Sequence, residues 1–590
     1  MKRRLLYLLV LFMTMVTSMR AQAPSLSTPL TIEATTDGTI IVTDPKEGMK
    51  YSLNDGVKNT MSGNIEINVA AGDKVQLYGD GTNITKYYGT CITDGTAGCI
   101  AYGNIMSLVD EENYVTATTL QTYAFTGLFT GNTTLTDASG LLLPATTLAE
   151  RCYFAMFLNC TALVKAPALP ATTLADYCYN NMFNGCTSLS SVVCLATDIS
   201  ATDCTVDWLD GVAAEGIFTA ADKTVAWKAD NTEGIPSGWT RENVVAVIND
   251  ETNFPDEIFR TYLLNQDYGT DGLLTDAEVA EVKKISVSSK DVESLKGIEL
   301  FTALTSLDCG FNKITSLDVS KNTELTMLDC SFNALTSIDV SKNTALTGLY
   351  CFDNQLTSLD VSKNTALTYL GCYDNQLTSL DVSKNTELID LFCFDNQLTS
   401  LDVSKNTALT MLYCDGNQLS SLDVSKNTAL TGLFCYDNQL TSLDVSTNTA
   451  LTNLFCHDNQ LTSLDVSKNT LLQYLEIDRN QIKGAAMDAL VESLPVISSD
   501  NGMFRVIYNE NEQNEMTAEQ VAAAKAKGWI PKTYDGFMWV EYTAPTAIYE
   551  VKASGTADGK SFKDGKFFRD GKLFIKKNGK LYEASGAQVK

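Results

Sequence analysis

Residues 346–366 read Leu-Thr-Gly-Leu-Tyr-Cys-Phe-Asp-Asn-Gln-Leu-Thr-Ser-Leu-Asp-Val-Ser-Lys-Asn-Thr-Ala, and this 21-residue phrase occurs nine times between residues 304 and 480. The unit is L-x-x-L-x-C-x-x-N-x-L-x-x-L-D-V-S-K-N-T-x. Cysteine keeps its place at 309, 330, 351, 372, 393, 414, 435 and 456, and Ile477 fills it in the ninth copy. Asparagine follows three residues later in every copy, from Asn312 to Asn480.

A period of roughly 20–29 residues with this leucine spacing predicts a leucine-rich repeat solenoid. The expected fold is therefore multidomain and β-rich. Its centre is a solenoid of 21-residue repeats with a parallel β-sheet on the concave face, flanked by small α/β caps and an N-terminal β module. Side chains alternate along a strand, so Leu307 and Cys309 point into the core, while Ser306, Asp308 and Gly310 face outward. Nine coils at about 4.8 Å each span roughly 40 Å.

The nine copies can be compared with one another. The Leu, Cys, Asn and Val positions barely change, and neither does the turn side Ser-Leu-Asp-Val-Ser-Lys-Asn. Variation gathers around the strand. The position before the cysteine holds Tyr350, Gly371, Phe392, Tyr413, Phe434 and Phe455. The position after it holds Phe352, Tyr373, Phe394, Asp415, Tyr436 and His457, and the next holds Asp353, Asp374, Asp395, Gly416, Asp437 and Asp458. The first two copies differ, with Asp308 and Asp329 before the cysteine and Phe311 and Phe332 in the third column.

A field of aromatic rings beside a column of aspartates is thus expected on the concave sheet. Contiguous exposed rings mark binding sites, and Tyr and Phe supply much of the contact energy at interfaces. Rings beside carboxylates also suit sugar stacking and hydroxyl recognition. The competing expectation is that the rings stack on each other as cross-strand ladders that only stabilise the sheet.

Other columns read as scaffold. Cysteine packs as a small hydrophobe, and parallel Cβ vectors on neighbouring strands strain a disulfide, so the eight repeat cysteines are expected as buried thiols. The remaining eight (Cys91, Cys99, Cys152, Cys160, Cys178, Cys186, Cys194, Cys204) leave thiol and disulfide open. The aspartates from Asp318 to Asp465 precede a lysine column from Lys321 to Lys468 by three residues. Exposed pairs of this kind contribute only about 0–1 kcal/mol each, so a solvated edge is expected there. The asparagines are expected to satisfy backbone groups at each turn.

The flanks divide the chain further. Lys2-Arg3-Arg4, an apolar run from Leu5 to Val16 and Ala21-Gln22-Ala23 predict a secretory signal peptide over 1–23. Short β-rich runs separated by Asp37-Gly38, Ala71-Gly72 and Asp80-Gly81 predict a β-sandwich-like module over 24–103. Leu-Pro-Ala-Thr-Thr-Leu-Ala at 143–149 and 169–175, with Met156-Phe157 returning as Met182-Phe183, sets a 26-residue repeat over 104–204. A Pro/Gly-rich end cap and linker is expected over 205–242, and a helical cap with a degenerate first coil over 243–303. The solenoid covers 304–482. An α/β cap follows over 483–544, because the last coil otherwise exposes its core. Asp570-Gly571 and Asn578-Gly579 predict β-hairpins in a 545–590 tail.

Residues 267–278 carry a candidate calcium loop. Asp267, Asp271, Thr275 and Glu278 supply side-chain oxygens and Leu273 a backbone carbonyl, at the spacing that a twelve-residue Ca²⁺ loop uses, with Gly272 for the sharp turn. Gly269 stands where a further carboxylate is expected. Ca²⁺ is the only cofactor the sequence suggests.

Catalysis finds no support. His457 is the sole histidine, and no H-E-x-x-H, G-x-S-x-G or phosphate loop is present. The aspartates form uniform ladders rather than the asymmetric pair a glycosidase needs. With 71 acidic against 43 basic residues, the net charge of −28 disfavours nucleic acid and anionic lipid as partners. No apolar run after the signal is long enough to span a bilayer.

Several motifs together resemble one known group. Leu-Pro-Ala-Thr-Thr-Leu, Met-Phe-x-x-Cys-Thr-x-Leu, Gly234-Ile-Pro-Ser-Gly-Trp-Thr240 and the Leu-Thr-Ser-Leu-Asp-Val-Ser-Lys-Asn-Thr repeats are similar to those of Bacteroides-type surface leucine-rich repeat proteins, the BspA-like group. The stretch from Asn253-Phe-Pro-Asp256 to Glu278 resembles the EF-hand-like cap that precedes repeats in related proteins. The tail from Gly571 to Lys590 resembles a type IX secretion sorting signal. The resemblance implies a non-enzymatic adhesion or binding protein, secreted or displayed on the outer-membrane exterior. The partner expected on the concave aromatic–acidic face is a host or bacterial surface protein; the alternatives are a polysaccharide on the same face, or a structural spacer without its own ligand.

Overall fold

Each 21-residue copy closes one coil around a three-residue strand. These strands run from Ser306–Asp308, Met327–Asp329 and Gly348–Tyr350 to Asn453–Phe455 and Tyr474–Glu476. They pair in parallel with a shift of one repeat, so Leu307, Leu328 and Leu349 lie side by side. The structure, a computed structural model, describes residues 25–80, 89–93, 95–498, 501–508 and 512–544, together with the strand backbones of 565–569, 572–577 and 580–583. The predicted signal peptide lies outside the described residues, and so do the turn residues of the two tail hairpins.

The strand alternation follows the sequence expectation. Leu349 and Cys351 have no exposed surface, and Leu356, Val361 and Leu367 close the same coil from its other sides, also without exposure. Burying one such leucine contributes about 1.5–3 kcal/mol, and stacking makes the contribution continuous from coil to coil. The leucine-rich repeat solenoid is the fold.

Asparagine satisfies the turns, in two different ways. Asn364, fully buried, donates from Nδ2 to the carbonyls of Val340 and Asn343, each at 2.9 Å. Asn375 donates to the carbonyls of Cys351 and Cys372, while its Oδ1 accepts from Leu356 N–H at 2.9 Å. Each amide therefore ties its own coil to the preceding one. The aspartate that begins Asp-Val-Ser-Lys shapes a turn rather than pairing with lysine. Asp339 Oδ1 accepts from Ser341 N–H at 2.9 Å. That bond and the Ser341 hydroxyl hold its carboxyl below the ordinary value, ahead of any influence of Lys342. Among the described residues, no lysine of that column is ion-paired, consistent with the solvated edge expected there.

The sheet is longer than the repeat. It starts at Lys284–Ser286, the degenerate coil, and has thirteen strands. After Tyr474–Glu476 it continues in parallel through Gly502–Ile507 and Trp529–Tyr534, then ends on antiparallel Trp539–Glu541. Helices Ala485–Ser493 and Ala518–Ala526 cover this end. The second opens with the predicted capping box, in which Gln520 N–H donates to Thr517 Oγ1 and Thr517 N–H to Gln520 Oε1. At the other end, Asp256 caps helix Glu257–Leu264, whose Phe259 and Leu263 join the solenoid core.

The N-terminal half is a second body of core. Sheets of six and three strands enclose residues such as Ile32, Val42, Val69 and Leu77. Strand Cys99–Asn104 lies antiparallel to Thr31–Ala34 and parallel to Leu135–Leu142, so the module does not end at 103 but passes directly into the 26-residue repeats. There the rings stack along the coil axis: Phe129, Phe157 and Phe183 at 5.1 and 5.4 Å, and Phe125, Tyr153, Tyr179 and Trp208 at 5.7–6.4 Å. Trp208 shows that the stack extends past 204. The expected linker is also ordered structure. Ile235 and Trp239 are buried, Trp239 Nε1 donates to Ala213 O at 2.8 Å, and strand Trp239–Val247 pairs with Gly216–Ala220 on one side and Leu273–Thr275 on the other.

In the tail, Gly565–Arg569, Lys572–Lys577 and Lys580–Glu583 pair as two antiparallel hairpins. No helix among the described residues is long and apolar enough to cross a membrane.

Candidate binding face of the solenoid

The outward positions of adjacent strands bring the variable residues together, and the rings do stack. In the column after the cysteine, Phe352, Tyr373 and Phe394 lie 4.2 and 4.1 Å apart, within 13° of parallel. Tyr436 and His457 form a second stack at 4.3 Å. In the column before it, Phe392, Tyr413 and Phe434 stack at 4.7 and 3.9 Å, and Phe455 meets Phe434 edge-on at 4.7 Å. Gly371 interrupts this column, and Tyr369, two residues earlier in the chain, fills the gap between Tyr350 and Phe392 at 4.4 and 5.2 Å. A Cβ on Gly371 would lie 3.2 Å from the Tyr369 ring. Tyr369 was not among the sequence-predicted residues. Its signal is the coincidence of glycine at 371 with the only tyrosine at that column's place in a central repeat.

The ladder is thus real, and it changes what the face can offer. Both flat sides of Tyr373 and of Tyr413 are covered by neighbouring rings, leaving edges and hydroxyls toward solvent. Phe434 is buried rather than displayed, because its ring is sandwiched between Tyr413 and Phe455.

The aspartate column has a conformational cause. Asp353, Asp374, Asp395, Asp437 and Asp458 have φ between 47° and 53°, a left-handed conformation that Gly416 shares at 59°. Aspartate and glycine tolerate this region and most residues do not. The carboxylates stack one coil apart. Asp353, Asp374, Asp395 and Asp437 are exposed, and none has an ion-pair partner among the described residues. Partial burial, then Asp395 and Asp353, raise the Asp374 carboxyl above its ordinary value. Asp458 alone is paired, with Arg479.

Asp415 interrupts the ring column. It is 3% exposed, and its Oδ1 has no hydrogen-bond partner. Burial pushes its carboxyl up to about 6, despite a hydrogen bond with Tyr436.

The ninth copy departs from the consensus as Leu-Glu-Ile-Asp-Arg-Asn at 475–480. It sets Glu476 and Asp478 beside His457, with Arg505 on the next strand bonded to Glu476 at 2.6 Å. Burial, reinforced by Glu476, Glu512 and Asp458, pushes Asp478 up to about 7 against the opposing pull of Arg479. Burial and the two arginines push His457 down to about 4. Comparing regular copies could not reveal this cluster, since it lies where regularity ends.

Within the candidate calcium loop, Thr275 and Glu278 bond each other. Glu278 Oε2 accepts from Thr275 N–H at 2.8 Å and from Thr275 Oγ1 at 3.0 Å, while Thr275 Oγ1 accepts from Glu278 N–H. The pair forms the capping box that opens helix Asp276–Glu281. Asp271 Oδ1 accepts from Leu273 N–H, and Leu273–Thr275 is a strand of the neighbouring sheet. Among the described residues, His457, Glu476 and Asp478 bring three His, Asp or Glu donor atoms within 4.8 Å of one another. Asp267 opens the segment in a short turn over Asp267–Gly269, and Asp271, Leu273, Thr275 and Glu278 follow it into helix Asp276–Glu281.

The eight repeat cysteines are buried thiols, and so are Cys152, Cys160, Cys178, Cys186, Cys194 and Cys204. Cys160 and Cys186 donate to the carbonyls of Phe129 and Phe157 at 3.0 Å. Six of the eight that spacing alone left open are therefore thiols.

No protein-family model matches the chain. No curated protein matches it in sequence. Solved structures do. A functional domain of InlJ from Listeria monocytogenes, which includes a cysteine ladder, is 34% identical over 48% of this chain, with TM-score 0.41. The internalin InlF of the same species is 22% identical over 48% of this chain and 90% of its own length, at 0.39. A leucine-rich repeat protein of Leptospira interrogans is 19% identical over 43% of this chain and 79% of its own, at 0.33. The chain covers 60% of the InlJ domain's length.

Proposed function

We propose that this protein is a non-enzymatic binding protein, exported or displayed at the cell surface, that engages a protein partner through the concave face of its solenoid. The observation that carries this is the row of exposed aspartates without cationic partners beside the stacked ring edges. Like charges stacked about 4.8 Å apart repel, and a lysine- or arginine-bearing surface would relieve them. Tyrosine hydroxyls and ring edges would supply the contact area. The net charge of −28 would steer such a partner toward the face.

The polysaccharide alternative is weaker on this geometry. Sugars stack on exposed ring faces, and the ladder covers those of Tyr373 and Tyr413. The signal sequence, the tail resemblance and the BspA-like motifs support export and adhesion, and the sorting role of the tail is part of this proposal.

Capture from a panel of host-matrix and bacterial surface proteins, run beside a glycan array, tests it. A protein hit should weaken on raising salt and be lost when Asp353, Asp374, Asp395 and Asp437 are all changed to Asn. Glycan binding without a protein hit, or protein binding indifferent to the four substitutions, would overturn it.

A further inference from the structure

The concave face ends in a side-chain cluster that the binding proposal does not use. His457, Glu476 and Asp478 come from the last two regular coils, with His457 and Asp478 in the same column and Glu476 two residues before Asp478. A nitrogen of His457 and one carboxylate oxygen from each of the others lie within 4.8 Å of one another. Two of these groups carry buried polar atoms that have no hydrogen-bond partner. Asp478 is 1% exposed, yet neither of its oxygens has a hydrogen-bond partner. Arg479 Nε stands 3.7 Å from Oδ2, too far to donate. His457 Nδ1 is also buried without a hydrogen-bond partner, 3.6 Å from Glu476 Oε2. Native structures rarely bury polar atoms in this way, and an ion is one standard reason when they do.

We infer that His457, Glu476 and Asp478 form a binding site for a divalent transition-metal cation of the zinc class. One imidazole nitrogen with two carboxylates is a mixed N/O donor set. That set suits Zn²⁺ and its first-row neighbours, whereas Ca²⁺ and Mg²⁺ favour oxygen alone. The charge balance agrees. Four carboxylates surround the point (Asp458, Glu476, Asp478, Glu512) against the guanidiniums of Arg479 and Arg505. When all are ionised, two negative charges are in excess, the charge of one such cation. Arg505 bonds Glu476 through Oε1, leaving Oε2 on the side of His457. Three protein donors leave a further coordination position for water.

Zinc titration of the purified full chain, after chelator treatment and with thiols kept reduced, tests this. One Zn²⁺ should bind per chain, and His457→Ala and Asp478→Asn should each weaken it about tenfold or more, with circular dichroism unchanged. Co²⁺ in the unsubstituted protein supplies a readout independent of any variant. Nitrogen–oxygen coordination gives a visible d–d spectrum without thiolate charge-transfer absorption. Absence of stoichiometric binding, equal binding by both variants, or a thiolate band would overturn the inference. It stands or falls separately from partner binding, which uses the aspartates of earlier coils.

Discussion

Asp415→Asn should stabilise the solenoid at neutral pH and lose that advantage in mild acid. Asp415 sits between Phe394 and Tyr436, 3% exposed, with one oxygen unbonded and its carboxyl pushed up to about 6 by burial. An aspartate in the unfolded chain titrates near 3.9, so the shift is roughly two units, and each unit corresponds to about 1.4 kcal/mol. Above pH 6 the folded protein carries the cost of a buried charge, about 3 kcal/mol at most. Between about pH 6 and pH 4 the folded state takes up the proton before the unfolded state does, so the cost vanishes as pH falls. Asparagine has nearly the same shape, can accept from the Tyr436 hydroxyl and never ionises. Urea unfolding followed by circular dichroism at intervals from pH 4 to pH 8 measures this. The variant should unfold at higher urea at pH 7–8 and converge with the parent near pH 4. A variant less stable at pH 7, or a difference independent of pH, would refute the assignment of Asp415 as a destabilising buried charge.

Four further outcomes follow from the same structure. Asn385→Ala removes the two bonds from Nδ2 to the Val361 and Asn364 carbonyls and should cost about 2–4 kcal/mol. Lys384→Ala, on the solvated turn beside it, should change urea stability by less than about 0.5 kcal/mol. Tyr373→Ser breaks stacking on both ring faces and should destabilise the sheet by about 1–3 kcal/mol, read from the same transitions. Thiol titration should find few reactive cysteines in the native protein and at least fourteen after denaturation without reductant; fewer than fourteen would mean disulfides among the buried thiols.

The 21-residue period made the solenoid legible because coil-to-coil stacking repeats the same contacts. One copy therefore predicts the next, down to the inward Leu349 and Cys351 and the bridging role of Asn364. What the sequence could not display was contact between columns. The ring ladder depends on Tyr369 leaning across to fill the gap at Gly371, an event in space rather than in spacing. The aspartates at 353, 374, 395, 437 and 458 were legible as a column, but their left-handed backbone was not. That conformation shows their residue type answers to the turn as well as to any partner. At residues 267–278 the spacing of oxygen donors suggested calcium, while the capping box that Thr275 and Glu278 form became legible only in the structure. The Pro/Gly-rich stretch at 234–240 similarly suggested a linker, whereas the burial of Ile235 and Trp239 makes it part of a continuous sheet.

The central claim is that the partner meets the concave face between Asp353 and Asp458. Hydroxyl-radical footprinting of the complex with a captured protein tests this most directly. Tyrosine and phenylalanine edges report from the face, and Leu359, Leu380 and Leu401, each slightly exposed at the turns, report from the other side. The account predicts protection of Phe352, Tyr373, Phe394 and Tyr436 with the turn leucines unchanged. Protection of the turn leucines, with those rings as reactive as in the free protein, would contradict it.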